Sequence, residues 1–428
     1  GSSEPQFFSF KARDAHHNGR MASAHQYCPI ADFSAPAPLP GSDWRQQLDC
    51  FSLGTNGQTH DIIRRNLDRA PMYNGGITSV GPRYCPSIET KIVRFAEKES
   101  HPLFLEPEGW NTRETYIQGA STSLPEDVQL EMLRSIPALR RAEIMRAGYA
   151  IEYDYLPGTQ VHSTLETKLL PNLFLAGQII GTTGYEEAAS LGLMAGINAA
   201  RRAQDREGIT LGRNQAYVGV LIDDLVTKEM DEPYRMHTSQ AEFRLLLRQN
   251  NAEARLGGLG HRLGLVDDRT VTAIGASSRQ VEDALGLLDS ISVRPSAATN
   301  DVLREAGCRE ITHPLTGREL LCHQDVHLDA LHRLGVVPLL EEQVAAEVET
   351  TVKYAGYVSR QESEVRRLAK LEEQRIPASF EYEQLRGLSY EAREKLAAIR
   401  PATVGQASRV GGVAPSDVSL LLVHLARA

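Results

Sequence analysis

The chain has 428 residues, 41% of them hydrophobic and 24% charged, an ordinary globular composition with room for about two to four domains. Its formal net charge is −9, from 46 basic and 55 acidic side chains, so it lacks the overall basic surplus of a nucleic-acid binder and any RNA contact has to be local. Apolar runs such as Leu420–Val423 are far too short to span a bilayer, and five scattered cysteines (28, 50, 85, 308 and 322) argue for free thiols in a reducing cytoplasm rather than a disulfide framework.

Gly1-Ser2-Ser3 lacks an initiator Met, which leads us to expect that upstream sequence is missing or was replaced. Residues 11–48 read as irregular, with His16-His17-Asn18-Gly19 followed by the Pro-rich run Ala35-Pro36-Ala37-Pro38-Leu39-Pro40-Gly41, an exposed loop or linker. From about 50 to 163, short apolar runs alternate with turn residues, the pattern of a mixed α and β region. Within it lies Gly81-Pro82-Arg83-Tyr84-Cys85-Pro86-Ser87-Ile88-Glu89-Thr90-Lys91-Ile92-Val93-Arg94-Phe95. Cys85 stands between Arg83 and a helix start that Ser87 can cap. Cationic charge and free helix N–H groups both favour a thiolate, so this is where a nucleophilic cysteine is expected; the alternative is a small buried hydrophobe.

Leu124-Pro125-Glu126-Asp127 predicts a helix start. Tyr149–Tyr155 alternates aromatic or apolar with acidic residues and predicts a half-buried strand. Asn172–Ala176 predicts a strand buried on both faces, Gly177–Gly184 a turn, and Tyr185 to about Arg202 a helix whose Ala188, Gly192, Gly196 and Ala200 form a smooth stripe for close helix–sheet packing. A strand running into a helix N-terminus favours anionic ligands, and Gln178 can hydrogen-bond a heteroaromatic ring, although a plain tight turn has the same spacing.

After residue 211 helical periodicity dominates. Helices are predicted over Ala216–Thr227 and Ser239–Arg248, and one long amphipathic helix from Val344 to Pro377. Gly258-Leu259-Gly260-His261-Arg262-Leu263-Gly264 has the wrong spacing for a dinucleotide fingerprint and reads as a loop, so half of any nucleotide site is expected to lie outside this chain. Cys322, His323, Asp325, His327 and His332 form a metal-like cluster, with His323 and His327 spaced to share a helix face; solvated histidines are the commoner outcome, and we expect no metal. Thr403–Leu422 has a helix-turn-helix outline, but its second helix presents Ser416, Asp417 and Ser419 rather than base-reading side chains, so no DNA partner is expected. Lys353, Arg360, Arg366, Arg367, Lys370 and Arg375 on the long helix, interleaved with glutamates, read as a solvated face or as a phosphate-tracking patch with Tyr354 and Tyr357 for stacking.

Several of these segments together resemble one family. Thr59-His60-Asp61-Ile62-Ile63-Arg64, Gly81–Phe95, Glu106-Pro107-Glu108-Gly109, Ser121-Thr122-Ser123-Leu124-Pro125, Ala176-Gly177-Gln178, Gly181–Ala189, Ala195–Ala200, Leu221–Lys228, Asp231–Met236 and Arg400–Thr403 are similar to blocks of the MnmG/GidA family, the FAD-dependent large subunit of the tRNA wobble-uridine 5-carboxymethylaminomethyl-modifying enzyme. The likeness runs from about residue 50 to 428. Ile180 stands where the family has Asn, His237 where it has an aromatic, and Gln240 where it has Arg; the family's N-terminal flavin-binding segment has no counterpart here.

The resemblance implies a partial flavin-binding Rossmann-like α/β domain with a mixed α/β insertion and an all-α C-terminal region. Its boundaries are a 1–163 insertion domain of NADH-binding type, 164–205 as the last strand–helix of the FAD domain, a 206–336 helical domain, and a 337–428 subdomain for tRNA and a GTPase. It also implies modification of uridine 34 with a methylene group from methylenetetrahydrofolate, in a homodimer bound to that GTPase, in the cytoplasm and away from membranes. By motif match Gln178, Gly177, Gly181 and Gly184 go to FAD, residues 81–95 to NAD(H), and Cys85 to a catalytic thiol; Cys50 aligns with a second family cysteine. This chain alone is expected to bind FAD weakly and to be inactive. The alternatives are a non-catalytic fragment that binds tRNA or the GTPase, and an NAD(P)-linked flavoprotein oxidoreductase acting on a small molecule.

Overall fold

A computed structural model describes residues 8–10, 49–77, 86–109, 111–150, 154–230, 232–377 and 379–426. The chain divides into two compact units, Gly1–Asp154 and Tyr155–Ala428. The architecture is mixed α/β with a largely helical C-terminal region, as expected from the sequence.

The first unit holds a four-stranded antiparallel sheet in sequence order, β1 (Phe8–Phe10), β2 (Cys50–Gly54), β3 (Pro102–Pro107) and β4 (Thr115–Gln118). Phe51 pairs with Leu105 and Leu105 with Ile117, and Ile117 packs against a cluster supplied by three helices, α1 (Gly57–Arg65), α2 (Ile88–Arg94) and α3 (Glu126–Arg134). Ile62, Ile63, Ile88, Ile92 and Val128 are all at most 1% exposed. A capping box at Asn56 and Thr59 starts α1, and the Ser87 hydroxyl accepts from the Thr90 N–H to start α2, as read from the sequence. Residues 149–150 and 154–155 carry no strand, contrary to expectation, and 151–153 lie outside the described residues, as does the 11–48 segment. Alternation supplies a face for burial, but a strand also needs a neighbour to take its backbone hydrogen bonds, and the four-stranded sheet does not extend to these residues.

Thr55 Oγ1 lies 2.7 Å from His60 Nε2 and accepts from the His101 N–H at 2.8 Å, while the two imidazole rings sit 5.5 Å apart. Burial first, then the charges of His101 and Arg64 on His60 and of Lys91 and Lys98 on His101, holds both histidines below the ordinary imidazole value near 6.5. The unfolded chain therefore binds more protons below that value. Stability of this unit is expected to be full above about pH 6.5 and to fall as pH drops through the folded-state values. Urea titrations of His60→Gln against the parent at pH 7.5 and 5 check this: the parent should lose more stability on acidification than the variant.

The second unit is helical: α4 (Tyr185–Ala203), α5 (Tyr217–Thr227), α6 (Ala252–Arg262), α7 (Asp268–Ser290), α8 (Ala297–Glu305), α9 (Gly317–Leu321), α10 (Leu328–Arg333), α11 (Glu342–Lys353), α12 (Ala355–Glu373), α13 (Tyr390–Ile399), α14 (Val404–Arg409) and α15 (Pro415–Leu425). A two-stranded ribbon joins β5 (Ser292–Val293) and β6 (Leu315–Thr316). Separate hydrophobic clusters lie around α4 and α5, around α7 to α11, and around α13 to α15.

Five sequence expectations change here. Asn172–Ala176 forms a single bridge, Glu166 to Phe174, not a strand; among the described residues no parallel ladder lies beside it to complete its hydrogen bonds. The small-residue stripe of α4 faces outward: Gly192, Gly196 and Ala200 are exposed, and Glu187, Leu191, Met194, Ala195 and Asn198 are buried instead. Ser239–Arg248 is a run of turns, because distant side chains take backbone groups a helix would pair internally: Arg213 the Gln240 carbonyl, Gln361 the Glu242 carbonyl and the Leu245 N–H. Gly258–Arg262 belongs to α6 rather than a loop; the glycines on this helix let α7 and the following turn close in, for a Cβ on Gly257 would meet Ile274 at 2.6 Å and one on Gly260 would meet Val266 at 2.7 Å. The long helix is two, α11 and α12, broken at Tyr354.

Candidate functional site: the Gly177–Gly184 turn and the start of α4

After Ala176, residues Gly177–Ile180 make one 3-10 turn that ends on Gly181. Gly177 and Gly181 have φ of +81° and +87°, the left-handed region in which a side chain is strained, so these two glycines are required by backbone geometry. The Thr182 N–H returns to the Gly177 carbonyl at 3.2 Å, and Tyr234 donates its backbone N–H to the Gly181 carbonyl at 2.8 Å. Ile180 is 1% exposed and Gln178 is exposed, so of the predicted contact residues Gln178 is the one the turn presents outward.

No side chain caps α4, whose N-cap residue is Gly184. Glu187 in its first turn is 5% exposed; one carboxylate oxygen accepts from Arg235 Nε at 3.0 Å and from the Met236 N–H at 2.9 Å, and the other is buried with no hydrogen-bond partner. Thr182 Oγ1, in a residue with 0% exposure, and Thr183 Oγ1 are likewise buried and unpartnered. A Cβ on Gly184 would lie 1.9 Å from Glu187 Oε2. Orphaned hydroxyls beside uncapped helix N–H groups leave this turn with unmet hydrogen-bonding capacity. With Glu186 and Glu187 both in the first turn, the site suits a neutral ring bearing carbonyl acceptors and an N–H better than a bare dianion. Sequence inspection pointed to the glycines and Gln178 but not to Thr182, Thr183, Glu187 or Arg235, whose roles arise only once Tyr234–Met236 is folded against the turn.

Gly81–Cys85 lie outside the described residues. Of the remainder of that motif, Ile88 and Ile92 belong to the core, and Glu89, with 0% exposure, accepts from the Ser123 N–H at 2.8 Å and hydroxyl at 2.7 Å. Thr90 and Ser87 are buried, Lys91 reaches the Gly119 carbonyl at 3.0 Å, and Pro86, Val93, Arg94 and Phe95 are exposed. Burial first, then Glu106 and Asp49, pushes the Cys50 thiol up, the opposite of a poised thiolate. His323 and His327 share no helix, since His327 is the N-cap of α10, where it lies 3.2 Å from Glu349; among the described residues no group of three or more His, Cys, Asp or Glu could hold a metal. Nor is any described helix long and apolar enough to cross a membrane.

A second polar cluster occupies α5, an otherwise apolar helix. Arg213 is forked on Glu242 at 2.7 and 2.9 Å and reaches Asp224 at 2.6 Å and Asp223 at 3.1 Å. Asp224, 0% exposed, also takes Lys228 at 2.8 Å and the Tyr234 hydroxyl at 3.0 Å. Burial works against the Arg213 charge, but the Glu242 hydrogen bonds and the Asp224 and Asp223 charges outweigh it, so the guanidinium is held more firmly protonated than usual. Burial, with Asp224 next to it, pushes the Tyr234 hydroxyl up.

A glycine turn leading into α4, in a mixed α/β chain with an appended run of helices, defines an α/β protein carrying an α-helical extension. Comparison with known families sharpens this. Residues 21–207 match the family described as glucose inhibited division protein A, residues 268–362 the tRNA modifying enzyme MnmG/GidA C-terminal helical domain, and residues 364–428 the MnmG/GidA C-terminal helical bundle. The chain belongs to the MnmG/GidA family. It is 52% identical over 427 residues to the tRNA uridine 5-carboxymethylaminomethyl modification enzyme MnmG of Roseiflexus sp. (strain RS-1), an alignment covering 100% of this chain and 62% of that protein. It is 49% identical over 381 residues to the MnmG of Bacillus subtilis (strain 168), covering 89% of this chain and 60% of the relative. Aquifex aeolicus GidA in its form I crystal superposes with a TM-score of 0.76 at 44% identity, over 89% of this chain and 60% of that one. The chain thus spans about three fifths of the length of these relatives.

Proposed function

We propose that this chain serves in the flavin-dependent modification of tRNA, at the wobble uridine (position 34), adding a carboxymethylaminomethyl group at C5. The observation that carries the reading is the Gly177–Gly184 turn, whose unpartnered Thr182 and Thr183 hydroxyls and uncapped α4 fit a heteroaromatic ring, in a chain 52% identical to an MnmG. Gly177, Gln178, Gly181 and Gly184 would hold the ring of FAD: the glycines let it approach the backbone, and Gln178 reaches its polar edge. Bound there, FAD supplies the redox chemistry that no side chain can. NAD(H) is assigned to residues 81–95 by motif.

Methylenetetrahydrofolate would donate the carbon, glycine or ammonium the amine, and a GTPase would bind the homodimer, all in the cytoplasm. The RNA contact falls to the C-terminal helices. α12 buries none of its 19 residues, the Tyr354 and Tyr357 rings stand 6.5 Å apart, and the Arg360 guanidinium lies 5.7 Å from the Tyr357 ring, a surface for stacking and for phosphate. Cys85, two residues after Arg83 in the sequence, serves as nucleophile toward the unstacked uracil.

The test uses the full-length protein with its GTPase partner. Cys85→Ser is expected to lower uridine modification by at least about a hundredfold, while leaving tRNA affinity within about twofold, as for loss of a nucleophile. Full activity in that variant would remove Cys85 from the chemistry. NADH oxidation indifferent to tRNA, together with a harmless Cys85→Ser, would favour an NAD(P)-linked flavoprotein oxidoreductase acting on a small molecule instead.

A further inference from the structure

The helices α13 to α15 have a core of their own, around Leu388, Leu396, Ile399 and Val404, and α4 with α5 has another, around Leu191, Leu221 and Leu225. The contacts that tie one to the other include a seam of hydrogen bonds. Gln406 Nε2 donates to Ser163 Oγ at 3.0 Å, Lys168 Nζ to the Ile399 carbonyl at 2.6 Å, and Arg409 to both oxygens of Asp223, at 2.6 and 2.8 Å.

We propose that Asp223 is a positioning residue that couples the placement of α12 to the geometry of the Gly177–Gly184 turn. The connection is continuous. Arg409 holds Glu372 of α12 with one nitrogen and Asp223 of α5 with two others. Asp223 shares Arg213 with Asp224, Asp224 accepts from the Tyr234 hydroxyl, and the Tyr234 backbone N–H donates to the Gly181 carbonyl of the turn. Asp223, Asp224, Arg213 and Tyr234 are at most 9% exposed, so water cannot readily stand in for a lost partner.

Stability alone does not account for such a cluster, since apolar side chains of like volume often serve as well as buried ion pairs. What a closed network of charges enforces is a single geometry, because any slip leaves a charge uncompensated at low dielectric. If α12 moves, Glu372 draws the Arg409 side chain of α14 from Asp223, which retains Arg213 as its buried cation. Arg213 then shifts toward Asp223, the Asp224 carboxylate that holds the Tyr234 hydroxyl shifts with it, and the Tyr234–Gly181 bond loosens. The seam is thus latched or open as a unit, and each end biases the other. That the two ends take an RNA and a flavin ring rests on the function proposed above; the mechanical link does not.

Hydrogen–deuterium exchange on this chain decides it without any ligand. Arg409→Gln is expected to raise exchange of the Tyr234 amide by about tenfold or more, together with amides of α12 and α14. Arg409→Lys should restore part of the protection, and Arg304→Gln, which breaks the exposed Arg304–Glu310 pair, should leave Tyr234 unchanged. An increase confined to α12 and α14 overturns the proposal. Should Arg409→Gln fail to fold, Glu372→Gln loosens the hold of α12 on Arg409: raised exchange of the Tyr234 amide supports the coupling, and an increase confined to α12 and α14 refutes it. Failure of the full-length protein to bind FAD or tRNA would refute the functional reading and leave the exchange result standing.

Discussion

Replacing Arg213 by Met is expected to destabilise the C-terminal unit by about 3–5 kcal/mol, the range for breaking one side of a buried ion pair. The side chain is 9% exposed and is the common partner of Asp223, Asp224 and Glu242. Met fills most of its volume, so the loss is electrostatic: Asp224, with 0% exposure, keeps Lys228 and the Tyr234 hydroxyl, while Glu242 loses its forked cation. Burial opposes the Glu242 charge, but hydrogen bonds from Arg213 hold its carboxyl below the ordinary range. The stability this carboxylate contributes is therefore present above the ordinary Glu value and lost on acidification through the folded-state value, and Arg213→Met should flatten that dependence. Urea unfolding followed by circular dichroism checks it: the midpoint should drop with little change in slope. Arg304→Met removes exposed pairs with Asp301 and Glu310 and should leave the urea midpoint nearly unchanged, since exposed pairs are screened by water and salt. Equal effects at the two positions would show that the α5 cluster is no more than surface charge.

Gly184→Ala is the second large effect. The added methyl carbon would meet Glu187 Oε2 at 1.9 Å and Arg235 Nε at 2.8 Å, and the Glu187 carboxylate is held in place through its other oxygen by Arg235 and the Met236 N–H. Either Glu187 gives up Arg235 and the Met236 N–H, or the first turn of α4 moves. The overpacking cost is about 1–3 kcal/mol, and the turn proposed to seat the flavin is displaced with it. FAD affinity of the full-length protein, read by fluorescence quenching, should fall at least about tenfold. Gly192, two turns further along α4, has nothing within 4 Å of where a Cβ would stand. Gly192→Ala should therefore stabilise the helix by roughly 0.5–1 kcal/mol and leave FAD affinity alone. If the two alanines behave alike, Gly184 has no special place in the site.

Local sequence signals suffice where one residue or one short segment settles the outcome. Ser87 caps α2, Pro125 opens α3, α4 and α5 begin and end within a residue or so of expectation, and the two C-terminal helices α14 and α15 flank a turn with Ala407 buried at 0% exposure. Capping, proline geometry and apolar periodicity act over a few residues and need no distant partner. The long blocks that resemble the MnmG/GidA family were equally legible, and they carried the family assignment.

Tertiary structure alone decided which face of α4 is buried, whether Asn172–Ala176 becomes a strand, and that Ser239–Arg248 is not a helix. Each depends on a partner far along the chain: Gln361 and Arg213 capture the backbone groups of 240–245, and Glu187 rather than the glycine stripe turns inward because Arg235 and the Met236 N–H await it. The joint at Asp223 belongs here too. An Asp-Asp pair inside an apolar helix is visible in the sequence, but its cations, Arg213 and Arg409, are supplied from before and nearly 190 residues beyond it. Hydrogen-bond and charge demands inside a protein are met by whichever group folding brings within reach, and one-dimensional order does not encode which that will be.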